Sequence, residues 1–108
     1  MTDQEIYQKI GQLLVDAGPS GAQRLIVRAE LFPEGDGGKY EFDYVDKAGE
    51  LNWFDPDGRA VGELTEFLVQ LREYFDTYEL TAGAGIWSGC EINLTVEDMK
   101  LEIEFTYG

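Results

Sequence analysis

The sequence predicts a single α+β domain, a two-layer sandwich in which an antiparallel sheet of about five strands carries two helices on one face. Two stretches repeat apolar residues at helical spacing, and five alternate apolar and polar residues as strands do. Turn-forming residues separate these stretches in the order α-β-β-β-α-β-β. The length suits one domain, residues 1-108, and the hydrophobic content of 44% supplies its core.

The first helix is predicted over about residues 3 to 17. Thr2 and Glu5 have the spacing of a capping box, in which each side chain binds the other's free backbone N–H. Apolar residues then recur every three or four positions until Gly18-Pro19, where a left-handed cap and a proline end the helix. One side of this helix is therefore expected to face the core.

Three strands are predicted next. Residues 23 to 32 alternate apolar and polar side chains, and residues 40 to 44 alternate aromatic and acidic ones. The loop composition between them favours direct pairing of the two strands. Residues 46 to 49 form a turn that leads into a short third strand over residues 50 to 54.

The second helix has the strongest pattern in the chain. Its entry is Asp55-Pro56-Asp57-Gly58, an acidic cap followed by an early proline. Apolar residues from Val61 to Tyr78 then alternate steps of three and four, while the opposite side carries glutamates. This pattern predicts an amphipathic helix of about five turns.

The last two strands are predicted to form a hairpin. Residues 90 to 96 and 99 to 107 alternate in the same way on either side of Glu97-Asp98, which we expect to be a two-residue turn. That register sets Glu91 opposite Glu104 on the outer face of the sheet. Like charges facing each other destabilise a strand pair by a few tenths of a kcal/mol up to about one.

The charge of the chain restricts its partners. Twenty-two Asp and Glu residues against eight Lys and Arg give a formal net charge of −14 and a pI near 4.1. Such a chain repels nucleic acid and anionic membranes and attracts a basic macromolecule, whose association it accelerates by long-range steering. A highly soluble domain or a salt-adapted protein accounts for the same composition, although solubility needs far less charge.

The expected compartment is the cytoplasm. Cys90 is the only cysteine, so no internal disulfide can form, and a reducing compartment suits the chain. The first residues lack the basic start and apolar run of a signal peptide. No apolar stretch approaches the length of a membrane span.

Carboxylates and tryptophans are the candidate partner-binding residues. One acidic group is expected on the outer sheet face, offset by Arg28 and Lys100 alone, and a second follows the turn and helix entry after the second strand. A solvated sheet face that blocks aggregation accounts for the same carboxylates. The candidates are Glu30, Glu41, Asp43, Asp46, Asp55, Asp57, Trp53, Trp87, Glu91, Glu102 and Glu104.

The two tryptophans are typical anchors of protein interfaces. Trp87 is expected to be the better candidate of the two, because the neighbouring Gly85 and Gly89 leave its ring less covered. Burial at the ends of the core accounts equally well for Trp53 and Trp87.

Catalysis is not expected, and neither is a cofactor or a metal. The chain has no histidine, which excludes Ser-His-Asp and Cys-His sites and the usual zinc sites. Cys90 belongs to the inner face of its strand, where a thiol is inert. Asp55-x-Asp57-Gly58 is a fragment of a calcium loop with its glycine misplaced, which leaves only weak calcium binding open. The many acidic pairs leave a carboxylate-pair hydrolase open as an alternative, although a chain of this size is not expected to build the deep cleft it needs.

The order of elements resembles the YezG-like immunity proteins of bacteria over nearly the whole chain. The matching segments are Ile6 to Ile10, Val27 to Glu30, Tyr40 to Tyr44 and Lys100 to Tyr107. The resemblance implies an antitoxin that binds and neutralises the toxin domain of a cognate protein delivered to competing cells, often a nuclease, and that has no catalytic residues. The alternative is an acidic inhibitor that mimics nucleic acid, or an adaptor that binds a basic cellular protein.

Overall fold

The computed structural model describes residues 3–32, 37–77 and 87–107 and confirms the predicted α+β class and element order. Thr2, Tyr78 and Gly85 lie outside the described residues, and with them part of the predicted capping box, the last apolar position predicted for the second helix and one glycine near Trp87. The elements are α1 (Asp3–Ala17), β1 (Arg24–Leu31), β2 (Gly38–Val45), β3 (Leu51–Trp53), α2 (Gly58–Thr77), β4 (Gly89–Thr95) and β5 (Lys100–Thr106).

Both helices contact each other and pack on one face of the sheet. The predicted bounds of α1 match the structure, and its end is marked by a hydrogen bond from Gly18 N–H to the carbonyl oxygen of Leu14 (2.8 Å). The apolar stripes supply the buried residues Ile6, Ile10, Leu14, Leu64, Leu68 and Leu71. Within the described ranges, no helix is long and apolar enough to cross a membrane.

The five strands form one antiparallel sheet in the order β3-β2-β1-β4-β5. The inner face of the two central neighbours, β1 and β4, is the most deeply buried part of the sheet because both helices lie over it. Its core side chains are Leu25, Val27, Ala29, Leu31, Cys90, Ile92 and Leu94. The opposite face of the sheet is left open by both helices, and β3 and β5 are its two edges.

The predicted register of the last hairpin is confirmed, since Glu91 pairs with Glu104. The predicted turn lies where expected, with Glu97 and Asp98 as its central residues, because Met99 N–H donates to the Val96 carbonyl oxygen (3.4 Å). Its type differs from the turns favoured in two-residue hairpins, since neither central residue has a positive φ. The strands end earlier, and residues 96 to 99 form a four-residue loop in which Met99 has a φ of 54°. One residue is added on each side, so the register is unchanged.

Two glycines offer a matched test of how closely the strands approach. A Cβ on Gly89 would lie 2.7 Å from the Ala29 carbonyl oxygen, whereas a Cβ on Gly62 in α2 would meet nothing within 4 Å. We expect Gly89→Ala to lower the free energy of unfolding by about 1–3 kcal/mol. Gly62→Ala should raise it by about 0.5–1 kcal/mol. Urea unfolding measures both, and equal stability of the two variants would contradict the close β1–β4 approach.

Candidate partner-binding surface

The open face of the sheet carries its side chains in rows that cross several strands. These side chains alternate with the core residues, so the pairing of the strands fixes which of them are neighbours. One row runs Glu41, Arg28, Glu91, Glu104, and the next runs Trp53, Asp43, Ile26, Asn93, Glu102.

The open face has mixed charge. The carboxylates expected on it all occupy outer positions, namely Glu30, Glu41, Asp43, Glu91, Glu102 and Glu104. The expectation that Arg28 and Lys100 alone offset them is wrong. Arg24 and Lys39 occupy outer positions as well, because Arg24 pairs with Thr95 and Lys39 pairs with Glu30. Six carboxylates and four cations leave this face a formal charge of −2, a small part of the −14 of the chain. Among the described residues, most of the negative charge therefore lies outside this face, on the helices and the connecting segments.

Arg28 is the centre of an ion-pair network on this face. Its Nη1 lies 2.9 Å from Asp43 Oδ2 and 3.5 Å from Glu41 Oε2, and its Nε lies 3.2 Å from Glu91 Oε1. The hydrogen bond to Asp43 is the main reason that the pKa of Arg28 is raised above its ordinary value. Because Glu91 faces Glu104, this cation also offsets the repulsion between two carboxylates.

Arg28→Met tests that network. We expect the free energy of unfolding to fall by about 1 kcal/mol, because Glu41, Asp43 and Glu91 then repel one another without a cation among them. The deficit should shrink at high salt, which screens the repulsion. Urea unfolding at low and high salt measures both effects. Arg59→Met, which removes one exposed pair with Glu63 (3.5 Å), is the control, and an equal effect of both variants would contradict the network.

An exposed apolar pair lies at the β3 edge of the same face. Leu51 is 62% exposed and Trp53 is 77% exposed, and they pair with Val45 and Asp43 of β2. The prediction included Trp53 but missed Leu51, although the alternation within the short third strand places both on one face. A single large exposed apolar residue is ordinary, whereas an adjacent pair on a rigid sheet is typical of a binding surface.

Three of the predicted carboxylates line the same cavity as Trp53. A shallow cavity of about 320 Å³ lies beside the indole, between β2 and the segment that leads into α2. Its lining residues are Tyr40, Glu41, Phe42, Asp43, Trp53, Phe54 and Asp55. Phe54 packs on the inner side against Phe42 and Tyr44, which holds the segment in place. An aromatic face bordered by carboxylates suits a cationic side chain, which can stack on the ring and pair with the acids.

Trp87 is not part of this surface. It is 0% exposed, and its ring lies 4.9 Å from Phe105 and 6.4 Å from Phe75 between ring centroids. The expectation that its glycine neighbours leave it less covered is wrong, because α2 and β5 supply the rings that enclose it. Among the described residues, its Nε1 has no hydrogen-bond partner.

Two further predicted carboxylates have local structural roles. Asp46 Oδ1 accepts hydrogen bonds from the backbone N–H groups of Ala48 (2.9 Å) and Glu50 (3.0 Å), which builds the β2–β3 turn. Asp57 Oδ1 accepts one from Ala60 N–H (2.8 Å) and caps α2. In the described part of the chain, no three His, Cys, Asp or Glu side chains are grouped so that they could hold a metal ion.

The expected inner position of Cys90 is confirmed. The residue is buried, and burial raises the pKa of its thiol to about 12. The thiolate is the reactive form of cysteine, so this thiol is unreactive at neutral pH.

No family model matches the chain, and no curated protein matches it either. The resemblance to the YezG-like immunity proteins therefore stays a prediction.

Proposed function

We propose that the chain is a non-catalytic binding protein, an immunity protein that binds and neutralises the toxin domain of a cognate bacterial protein. The observation that carries the proposal is the exposed pair Leu51 and Trp53 beside carboxylates, on a sheet face that both helices leave open. Tryptophan is among the residues that contribute most to binding energy at protein interfaces. A rigid sheet presents it without a large ordering cost.

The charges favour a basic partner, such as a nuclease-type toxin domain. The net charge of −14 steers a basic domain toward the chain over distances of about a Debye length. At contact, the Trp53 ring and the exposed carboxylate of Asp55 suit an Arg or Lys side chain of that domain. The proposal places the protein in the cytoplasm, where it would meet the toxin before the toxin reaches its target.

The mixed charge of the open face weakens the alternative of nucleic-acid mimicry. A mimic of a phosphate backbone needs a continuous row of negative charge. On this face Arg24, Arg28 and Lys39 interrupt the carboxylates. Arg28 also uses Asp43, Glu41 and Glu91 as its own partners.

Protection of growing cells tests the proposal. The neighbouring gene should encode a large protein with a C-terminal toxin domain, and co-expression of this chain should restore growth and recover the two proteins together. Absence of such a neighbour, together with failure to protect against any co-encoded domain, would overturn the immunity function. Recovery of a resident cellular protein instead would identify an adaptor.

The docking surface is tested separately in the same assay. The double variant Leu51→Ala/Trp53→Ala should fold, because both side chains are exposed. It should fail to protect, because the proposed docking surface has lost its apolar pair. Tyr107→Ala, which removes an exposed aromatic residue beyond the end of β5, should still protect. If the double variant protected fully, the open face around β3 would not be the docking surface, even where the immunity function held.

A further inference from the structure

At the other edge of the sheet, we infer that β5 accepts an extended segment of a partner protein as a sixth strand. The segment would alternate apolar side chains, which enter a groove beside α1, with basic side chains, which lie on the open face. This inference does not rest on the proposed function, because β5 and β3 are opposite edges of the sheet.

The backbone of β5 has one side that faces away from β4. Two hydrogen bonds bracket the β1–β4 pairing: Leu31 N–H donates to the Ser88 carbonyl oxygen (2.8 Å) and Val96 N–H donates to the Gln23 carbonyl oxygen (2.9 Å). The backbone groups of even-numbered β4 residues therefore point to β1 and those of odd-numbered ones to β5. The β4–β5 register then leaves Leu101, Ile103 and Phe105 with N–H and C=O groups directed away from β4. Within the described ranges, no strand pairs with this side of β5. Such an edge is a template for a further strand.

A groove runs along that edge on the helical side of the sheet. Its volume is about 420 Å³, and its lining residues are Gln4, Tyr7, Gln8, Met99, Leu101, Ile103 and Phe105. The residues with outward backbone groups therefore also form one wall of the groove with their side chains. A strand added beside β5 would direct the side chains opposite them into this groove, since paired residues share a face. Apolar residues suit those positions.

The remaining side chains of the added strand lie on the open face beside Glu102 and Glu104. Both residues are exposed, so a basic residue opposite each is favoured. A second copy of this chain fits less well. Symmetric pairing centred on Ile103 sets Glu102 against Glu104 of the copy twice. Pairing centred on Glu102 sets the two Glu102 carboxylates against each other, although it also matches Lys100 with Glu104.

A blocked seven-residue peptide in which valine and lysine alternate is the probe. We expect it to slow hydrogen exchange of the Leu101, Ile103 and Phe105 amides by at least about tenfold, as strand addition requires. A peptide of the same composition with its valines and lysines in two blocks should bind at least about tenfold more weakly, because it cannot fill the groove and meet the carboxylates together. Both are measured by NMR at concentrations where the peptides alone are monomeric.

Matched variants separate strand addition from attraction to an acidic protein. Glu102→Gln/Glu104→Gln should weaken binding of the alternating peptide about tenfold, whereas Glu66→Gln/Glu73→Gln removes equal charge from α2 and should change it little. A peptide methylated on its valine amides should bind more weakly than one methylated on its lysine amides. The reason is that the valine amides face β5 and the lysine amides face away from it.

Three results would overturn the inference. One is that both methylated peptides and the block-order peptide bind as tightly as the unmodified alternating peptide. Another is protection of Leu51 and Trp53 amides in place of those of β5. The third is a concentration-dependent dimer whose Leu101, Ile103 and Phe105 amides are already protected without peptide, which would make a second copy the occupant of the edge.

Discussion

Replacing Trp87 by alanine is expected to lower the free energy of unfolding by about 3–5 kcal/mol, a large part of the stability of a small domain. The indole is fully buried between Phe75 of α2 and Phe105 of β5, so its removal leaves a cavity that joins two layers of the fold. Those rings sit on rigid elements and can refill the space only in part. At 37 °C the variant should therefore be partly unfolded.

Trp87→Phe separates the ring contacts from the rest of the side chain. It keeps an aromatic ring and removes an Nε1–H that has no partner among the described residues, so we expect a cost of about 1 kcal/mol. Urea unfolding followed by circular dichroism compares the two variants. Equal costs would mean that lost volume is not the cause, and a cost below about 1 kcal/mol for Trp87→Ala would contradict the burial.

The burial of Trp87 is a feature that the neighbouring residues in the sequence do not predict. Local patterns predicted the bounds of α1 and the pairing of Glu91 with Glu104, since helical spacing and strand alternation involve near neighbours. The cover over Trp87 comes from Phe75 and Phe105, which belong to two other elements. Neighbouring glycines indicate how the backbone bends, but they do not indicate which aromatic side chains of other elements cover Trp87.

The charge of the open face was predictable in part. The alternation predicts the outer position of the carboxylates. It also predicts that of Arg24, which lies on the same side of β1 as Arg28, although the prediction omitted it. Lys39 was not accessible in the same way, because the aromatic and acidic alternation begins at Tyr40 while the strand begins at Gly38. Pairing with β1 extends β2 beyond its own pattern and brings Lys39 opposite Glu30. The error in the predicted charge of the open face therefore comes from Arg24 and Lys39, which lie at or next to the first residues of β1 and β2.

Trp53→Ala should weaken binding of the cognate toxin domain by about 30-fold, which corresponds to about 2 kcal/mol. Trp53 is 77% exposed in the free chain, so loss of its indole should leave the free energy of unfolding within about 0.5 kcal/mol of the original. The weakening should lie mainly in the dissociation rate, since a buried contact acts after encounter. Glu41→Gln, which removes an exposed carboxylate beside Trp53, should instead slow association and reduce its dependence on salt.

Binding kinetics with one partner immobilised on a surface, at two salt concentrations, measure the dissociation rate of Trp53→Ala and the association rate of Glu41→Gln. Tyr107→Ala is the matched aromatic control. The chain has two tryptophans, one exposed and one buried, so a change in the chain's emission on docking is expected from Trp53 and should be absent in Trp53→Ala. If Trp53→Ala and Tyr107→Ala bound equally well, the partner would dock elsewhere. The charge could then still steer the encounter, because −14 acts over the whole molecule, but the β3 edge would contribute no contact.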